Sequence, residues 1–403
     1  MVQPVYLTKS CQLTKKQSKN RRDSHFLYIW QGKRDQYPPK ARPYPSNSSK
    51  SQYAVPMRTV SLAEPNKYNK VDVPFAAPTR FVRISSTEDI MERNTEIKKL
   101  LTLTNSDGNV REHPFIFFKV RYNHFRDTST SIDLEVRDKE EIAECECVLC
   151  LPDSYSDNGD ETPLILSFHG AGSRVCEETD KVGGVKYCPD CINSGYAVLD
   201  VCGSEPYGTT MGCPEHIFAA YKAYKYAVKH FNLSHDVLLS GASMGGHVAM
   251  NFANTFPGIV RAIGIFYPRL NMDKVTVNGH ECIGTWDKIK AKKEGEPSTH
   301  DRIIEIYRFP TNEWYELNTV GFNPYRARSF INSDGERVVI PPCPIRIWQG
   351  TADKTVDPVM VEEFVNSVRR SGSYIELHLL DGVGHKLSPI MLKELPMWFN
   401  RFI

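Results

Sequence analysis

No apolar run in this chain approaches the length of about 18 residues that a transmembrane helix needs. The first ten residues, Met-Val-Gln-Pro-Val-Tyr-Leu-Thr-Lys-Ser, lack the apolar core of a signal peptide. Both absences predict a cytoplasmic protein with no membrane span, kept in a reducing compartment. A dominant charge is missing too. The net charge of +2 over 403 residues leaves no whole-chain field directed at nucleic acid or membrane. Neither a phosphate loop nor a dinucleotide fingerprint occurs. Cysteines are present, but their number is odd, eleven, in a chain too large to need disulfides. They read as small buried hydrophobes or free thiols. The one C-x-x-C, Cys188-Pro-Asp-Cys191, has no second such pair. With Cys176 and Cys213 it is either a zinc candidate or a loop with thiols, and the loop is the simpler reading. No metal and no cofactor is expected.

What is present is a globular composition, with 40% hydrophobic and 24% charged residues, arranged in three regions. Residues 1–60 form a basic, Pro/Ser-rich arm. It has about ten more basic than acidic groups, from Lys9 to Arg58 against Asp23 and Asp35. Such sequence buries little core, so the arm is either a solvated extension or an attachment to a protein or assembly partner. The apolar run Phe26-Leu-Tyr-Ile-Trp30 favours attachment. Residues 61–140 read as a small β-rich accessory region. Strands are expected at Arg80–Ser85 and in Pro114-Phe-Ile-Phe-Phe-Lys-Val-Arg-Tyr, and one helix over Glu88–Leu101.

From 141 to 403 strand-like and helical runs alternate, the pattern of a mostly parallel sheet with helices on both faces. Strands are expected at Cys145–Leu151, Leu164–Phe168, Ala197–Val201, Val237–Ser240, Ala262–Tyr267, Ile345–Trp348 and Ile375–Leu380. Helices are expected around His216–His230, Met244–Phe256, Pro358–Arg370 and Pro389–Phe402. Residues 268–342 interrupt this order. They carry Trp286, Tyr307, Trp314, Tyr315, Phe322 and Tyr325, and in that position would form a cap over the sheet's carboxyl edge.

The chemistry centres on Gly241-Ala-Ser243-Met-Gly245, a G-x-S-x-G between an apolar strand and a helix. A serine on such a turn is strained, and its hydroxyl stands clear of the sheet. To attack a carbonyl at neutral pH it needs a base, and the base needs an orienting acid. Asp353, in the turn after the strand ending at Gly350, is the expected acid. Asp357 competes, but it stands before Pro358 and suits a helix N-cap. His385 is the expected base, in the glycine-rich loop Asp381-Gly-Val-Gly-His after the last strand. His378 and His247 read as structural. An oxyanion would meet the backbone amide of Met244 and one from Gly170 or Ala171 in His169-Gly-Ala-Gly172. His169 reads as fixing that loop. With Tyr207 and Trp314 it is also a candidate for shaping the substrate pocket.

With His169-Gly-Ala-Gly, Gly241-Ala-Ser-Met-Gly-Gly, Gly350-Thr-Ala-Asp and Gly384-His385 in this order, residues 145–403 resemble the α/β-hydrolase superfamily. Within it they are similar to the branch holding prolyl-oligopeptidase-like, dienelactone hydrolase-like, and feruloyl and acetyl-xylan esterase proteins. The resemblance implies an α/β-hydrolase fold with an eight-stranded, mostly parallel sheet flanked by helices. It also implies a Ser–His–Asp triad and hydrolysis through an acyl-enzyme. Three functions are open. One is a serine esterase acting on a small-molecule or glycan-linked acyl ester. Another is a prolyl-oligopeptidase-like peptidase, but the propeller of that family needs repeated blades, and residues 1–140 show no repeat. The third is a non-catalytic binding or assembly protein, which has no need of all four catalytic parts. The esterase reading fits best.

Overall fold

A computed structural model describes residues 26–30, 79–83, 99–124, 141–203, 210–271, 275–277, 280–282 and 323–403. Most of the basic arm lies outside these residues, as does most of the insertion. Residues Phe26–Trp30 and Thr79–Arg83 pair as a two-stranded antiparallel sheet.

The centre of the molecule is a nine-stranded sheet. In chain order its strands are β1 (Lys99–Thr104), β2 (Val110–His124), β3 (Glu141–Cys150), β4 (Thr162–Phe168) and β5 (Ala197–Val201). They continue with β6 (Leu233–Ala242), β7 (Val260–Phe266), β8 (Ile345–Gly350) and β9 (Ile375–Leu380). Across the sheet the order is β9-β8-β7-β6-β4-β5-β3-β2-β1. The six strands from β9 to β5 are parallel, and β3, β2 and β1 join them by antiparallel pairing. From β2 to β9 the order is that of the α/β-hydrolase fold, with β1 as an added edge strand. Two of the nine strands thus come from the stretch assigned by sequence to the accessory region.

The parallel strands are buried on both faces, which is why they read as continuous apolar runs rather than alternating ones. In β4, Leu164, Leu166 and Phe168 join one core and Ile165 the other. The first core is completed by α2 (Pro214–His230), α3 (Met244–Thr255) and, after the insertion, a helix at Pro358–Arg369. The second is covered by α1 (Pro189–Asn193) and the C-terminal helix Pro389–Phe399, through Ile192, Leu395, Trp398 and Phe399. Cys145 and Cys147 share the first core and Cys150 faces the second, as period-two alternation requires.

The helix expected over Glu88–Leu101 is not what residues 99–101 form; they begin β1, and the rest of that stretch lies outside the described residues. The reason is a period of two. Leu101 and Leu103 pack on the second core, while Leu100 points to solvent and is 62% exposed. From the insertion, Tyr325 is buried in the first core, and its hydroxyl donates to Glu363 at 3.1 Å. It is therefore a core residue, not a cap aromatic. The other cap aromatics, Trp286, Tyr307, Trp314, Tyr315 and Phe322, lie outside the described residues.

Candidate active site

Ser243 sits between β6 and α3 with φ 55° and ψ −115°, a conformation that non-glycine residues rarely hold. Three backbone hydrogen bonds fix it there. Its amide donates to the Phe266 carbonyl at 2.9 Å, and its carbonyl accepts from Gly246 at 3.1 Å and Arg269 at 3.0 Å. The flanking glycines are required by packing. A Cβ on Gly241 would strike the Gly245 carbonyl, and one on Gly245 would strike the Phe168 carbonyl. Strand and helix therefore pass at backbone distance, leaving Ser243 half-buried at the sheet's carboxyl edge. Met244 is the first residue of α3, so its amide lies outside the helical ladder and points to the end that favours negative charge.

Asp353 and His385 come together. The acid's side chain is fully buried, and its Oδ2 accepts from His385 Nδ1 at 2.8 Å and from Gln349 Nε2 at 3.2 Å. Its Oδ1 accepts the amides of Thr355 at 2.8 Å and Val356 at 2.9 Å. Burial opposes its charge, but the His385 bond and the Val356 and Thr355 amides outweigh burial and hold the carboxyl below its usual range. A carboxylate only accepts, so Nδ1 of His385 carries the proton, and Nε2 of a neutral ring is left with a lone pair. The two turns are stitched together by Thr351 and Ala352, whose amides donate to Leu380 and Val383, each at 3.0 Å. Asp357 caps its helix as expected, accepting the Val359 amide at 3.0 Å. Asp381 accepts from the Thr351 hydroxyl at 3.2 Å.

Tyr267 stands between the Ser243 turn and His385, and sequence reasoning gave it no role. It follows Phe266, the acceptor of the Ser243 amide, and its ring lies edge-on to His385 with centroids 4.6 Å apart. Its φ of 35° is strained for a bulky residue, and its amide is tied to the Trp348 carbonyl at 2.7 Å. The apolar run ending in Tyr267 gives no hint of that strain.

The opposite wall starts at the His169 loop. Gly170 is buried beside the nucleophile: a Cβ there would lie 3.8 Å from the Cβ of Ser243. Its amide donates to the Tyr187 hydroxyl at 3.2 Å, while Ala171 is exposed. Burial first, then the nearby Asp200 and Cys188, push the Tyr187 phenol up, with the Gly170 bond opposing them, so the hydroxyl keeps its proton at neutral pH. His169 is fully buried, with Nδ1 2.9 Å from Asp200 Oδ2. It fixes the loop and does not line an open pocket. Tyr207 and Trp314 lie outside the described residues. Tyr187 and Asp200 were missed by sequence reasoning. Tyr187 has no local signature, but a carboxylate within the apolar run Ala197-Val-Leu-Asp-Val was a signal available to be read.

His247 and His378 are held structurally, by the Arg269 carbonyl and by Glu394, each at 2.9 Å. Cys188 and Cys191 lie on α1 and its N-cap rather than in a loop, both buried. Burial above all pushes the Cys191 thiol well up, and Cys188 donates to the Ser167 hydroxyl at 3.3 Å. The nine cysteines whose side chains are described are free thiols. Among the described residues no group of three His, Cys, Asp or Glu is placed to hold a metal ion, and no helix is long and apolar enough to cross a membrane.

No protein-family model matches the sequence, and no curated protein matches it in sequence. Solved structures do resemble it in shape. An esterase from Thermogutta terrifontis is 16% identical, with TM-score 0.42 over 69% of this chain and 91% of its own. The S-formylglutathione hydrolase of Agrobacterium tumefaciens is 17% identical, with TM-score 0.43 over 71% and 95%. The acylaminoacyl peptidase of Pyrococcus horikoshii is 12% identical, with TM-score 0.47 over 74% and 45%. This chain spans less than half the length of the peptidase structures it matches. The likeness is one of shape; it is the strand order of the sheet that is that of the α/β-hydrolase fold.

Proposed function

We propose that the protein is a serine hydrolase that cleaves a carboxylic ester, in particular an acyl group carried on a carbohydrate or another small alcohol. The observation that carries this reading is a strained, half-buried Ser243 bonded through its amide to Phe266, whose neighbour Tyr267 lies against His385, the partner of the buried Asp353. His385 Nε2 takes the Ser243 proton as Oγ attacks the ester carbonyl. Asp353 holds the ring in the tautomer that leaves Nε2 free and stabilises the imidazolium that forms. The Met244 and Ala171 amides are assigned to the developing oxyanion, because the Gly170 amide is already donated to the Tyr187 hydroxyl. His385 then returns the proton to the departing alcohol, and a water repeats the sequence on the acyl-enzyme. The choice of an ester over a peptide bond is the part of this reading that a substrate panel decides.

A substrate panel tests it: p-nitrophenyl acetate, butyrate and ferulate and acetylated xylo-oligosaccharides, against prolyl and alanyl anilides. Ester kcat/KM should exceed that for the anilides by at least about 100-fold, a difference of ~2.7 kcal/mol in transition-state binding. Anilide turnover equal to or above that of the esters would overturn the ester preference and leave a peptidase. We further propose the basic arm, residues 1–60, as a docking element for a protein or assembly partner. Identical size-exclusion profiles with and without it, alone and with each candidate partner, would count against docking.

A further inference from the structure

β5 carries a charge among apolar neighbours. Every residue of Ala197–Val201 is buried, and Asp200 is wholly so. A carboxylate there is costly unless hydrogen bonds replace the water it loses. Three N–H groups do so. His169 Nδ1 meets Oδ2 at 2.9 Å, the Gly184 amide meets Oδ2 at 2.6 Å, and the Val201 amide meets Oδ1 at 2.8 Å.

The first two come from opposite ends of the wall facing Ser243. His169 opens the loop that carries Gly170. Gly184 lies in the single turn of 3-10 helix at Gly183–Tyr187, which ends in the hydroxyl that accepts the Gly170 amide. The contacts close a ring: Asp200 to His169, along the chain to Gly170, across to Tyr187, back along the turn to Gly184, and again to Asp200. The fit has no slack. A Cβ on Gly183 would run into the Asp200 carboxylate, and one on Gly184 into the Ser167 carbonyl. The Ser167 hydroxyl adds a bond to the Gly184 carbonyl at 2.8 Å. The second nitrogen of His169 is buried with no partner among the described residues, and among them Asp200 alone holds the ring by hydrogen bonding.

We propose that Asp200 is a positioning residue for the hydrolysis set out above. It fixes the Gly170–Ala171 loop and Tyr187 in the register that the developing oxyanion requires. The inference rests on the serine-hydrolase reading for its catalytic meaning. Asp200 touches no substrate; it acts through His169 and Gly184. Oxyanion donors act only when held in place beforehand, and a misplacement of about 1 Å costs on the order of 100-fold in rate.

The test is Asp200→Asn in the full chain. Asparagine keeps the size but removes the charge and presents one accepting oxygen, so either the Val201 amide or both His169 and Gly184 lose their acceptor, and any bond that remains is no longer charge-assisted. With p-nitrophenyl acetate, kcat should fall about tenfold or more while KM stays within about twofold. His169→Gln cuts one arm of the same ring and should show the same split. The double variant should lose no more than the worse single, because both break one device. Hydrogen exchange followed by mass spectrometry should rise in peptides covering 169–172 and 183–187, and not in β7 or the C-terminal helix. Wild-type kcat in Asp200→Asn, losses that multiply in the double variant, or exchange that rises uniformly would each overturn the proposal. If Asp200→Asn does not fold, His169→Gln carries both measurements. The exchange arm needs no turnover. A wild type that neither turns over nor labels at Ser243 thus defeats the hydrolase reading, while exchange still judges the clamp.

Discussion

Two histidine–carboxylate pairs lie near the Ser243 turn, one reached through Tyr267 and the other through Gly170. On one side stand Asp353 and His385, 32 residues apart in sequence and joined at 2.8 Å. On the other stand His169 and Asp200, 31 residues apart and joined at 2.9 Å. Both are histidine–carboxylate pairs using Nδ1, and both carboxylates are buried. Their exposure separates them. His385 is 23% exposed, whereas His169 is fully buried. On the proposed reading, the same pair of side chains serves as base and acid where one nitrogen can reach substrate, and as a brace where it cannot. Access, not composition, assigns the role.

The sharpest break between the two pairs is expected from Ser243→Ala, which should lower kcat by at least about 10⁴-fold with little change in thermal midpoint, read by ester hydrolysis and calorimetry. Asp353→Asn should follow closely, at about 10⁴-fold, because the amide favours the wrong His385 tautomer. Next in size is Gly245→Ala. A methyl driven against the Phe168 carbonyl should cost about 1–3 kcal/mol of stability, seen as a lower midpoint in urea. Asp357→Ala is a smaller test of the two neighbouring aspartates. It removes a helix cap, so about 1 kcal/mol should be lost while kcat is unchanged. A large loss of turnover there would mean that the acid had been assigned to the wrong residue.

The smallest effect concerns pH. The Asp353 carboxyl titrates lower in the folded protein than in the unfolded chain. Its contribution to stability is therefore fully present above the unfolded value, about pH 4, and is lost as pH falls through the lower folded value. Thermal midpoints measured from pH 7 down to pH 3 should drop more steeply for the wild type than for Asp353→Asn. Parallel curves would remove that linkage.

The Ser243 turn and the Asp353–His385 contact could be read in the sequence because each part has a local signature. Ser243 is marked by its glycines, Asp353 by a strand ending in Gly350, and His385 by its glycine-rich loop and its place after the last strand. The parallel strands were legible for a similar reason, since burial on both faces writes a continuous apolar run. The bracing contacts were not legible. Tyr187 meets Gly170 only through tertiary packing, and nothing near it in sequence marks the encounter. Tyr267 ends an ordinary apolar strand, and its strained φ is imposed by Trp348 and the turn beyond. β1 was misread because a short edge strand with leucines at 100, 101 and 103 fits a helical count as well as an alternating one. Only pairing with β2 decides between them.

The central claim is that Ser243 is a nucleophile activated by His385. Its most direct test is labelling with a fluorophosphonate, mapped by mass spectrometry, alongside p-nitrophenyl acetate hydrolysis, for wild type and Ser243→Ala. The account predicts label on Ser243 and turnover in the wild type, with both lost in the variant. Folded wild-type protein with neither label nor turnover would contradict it, and the scaffold would then stand as a binding or assembly protein.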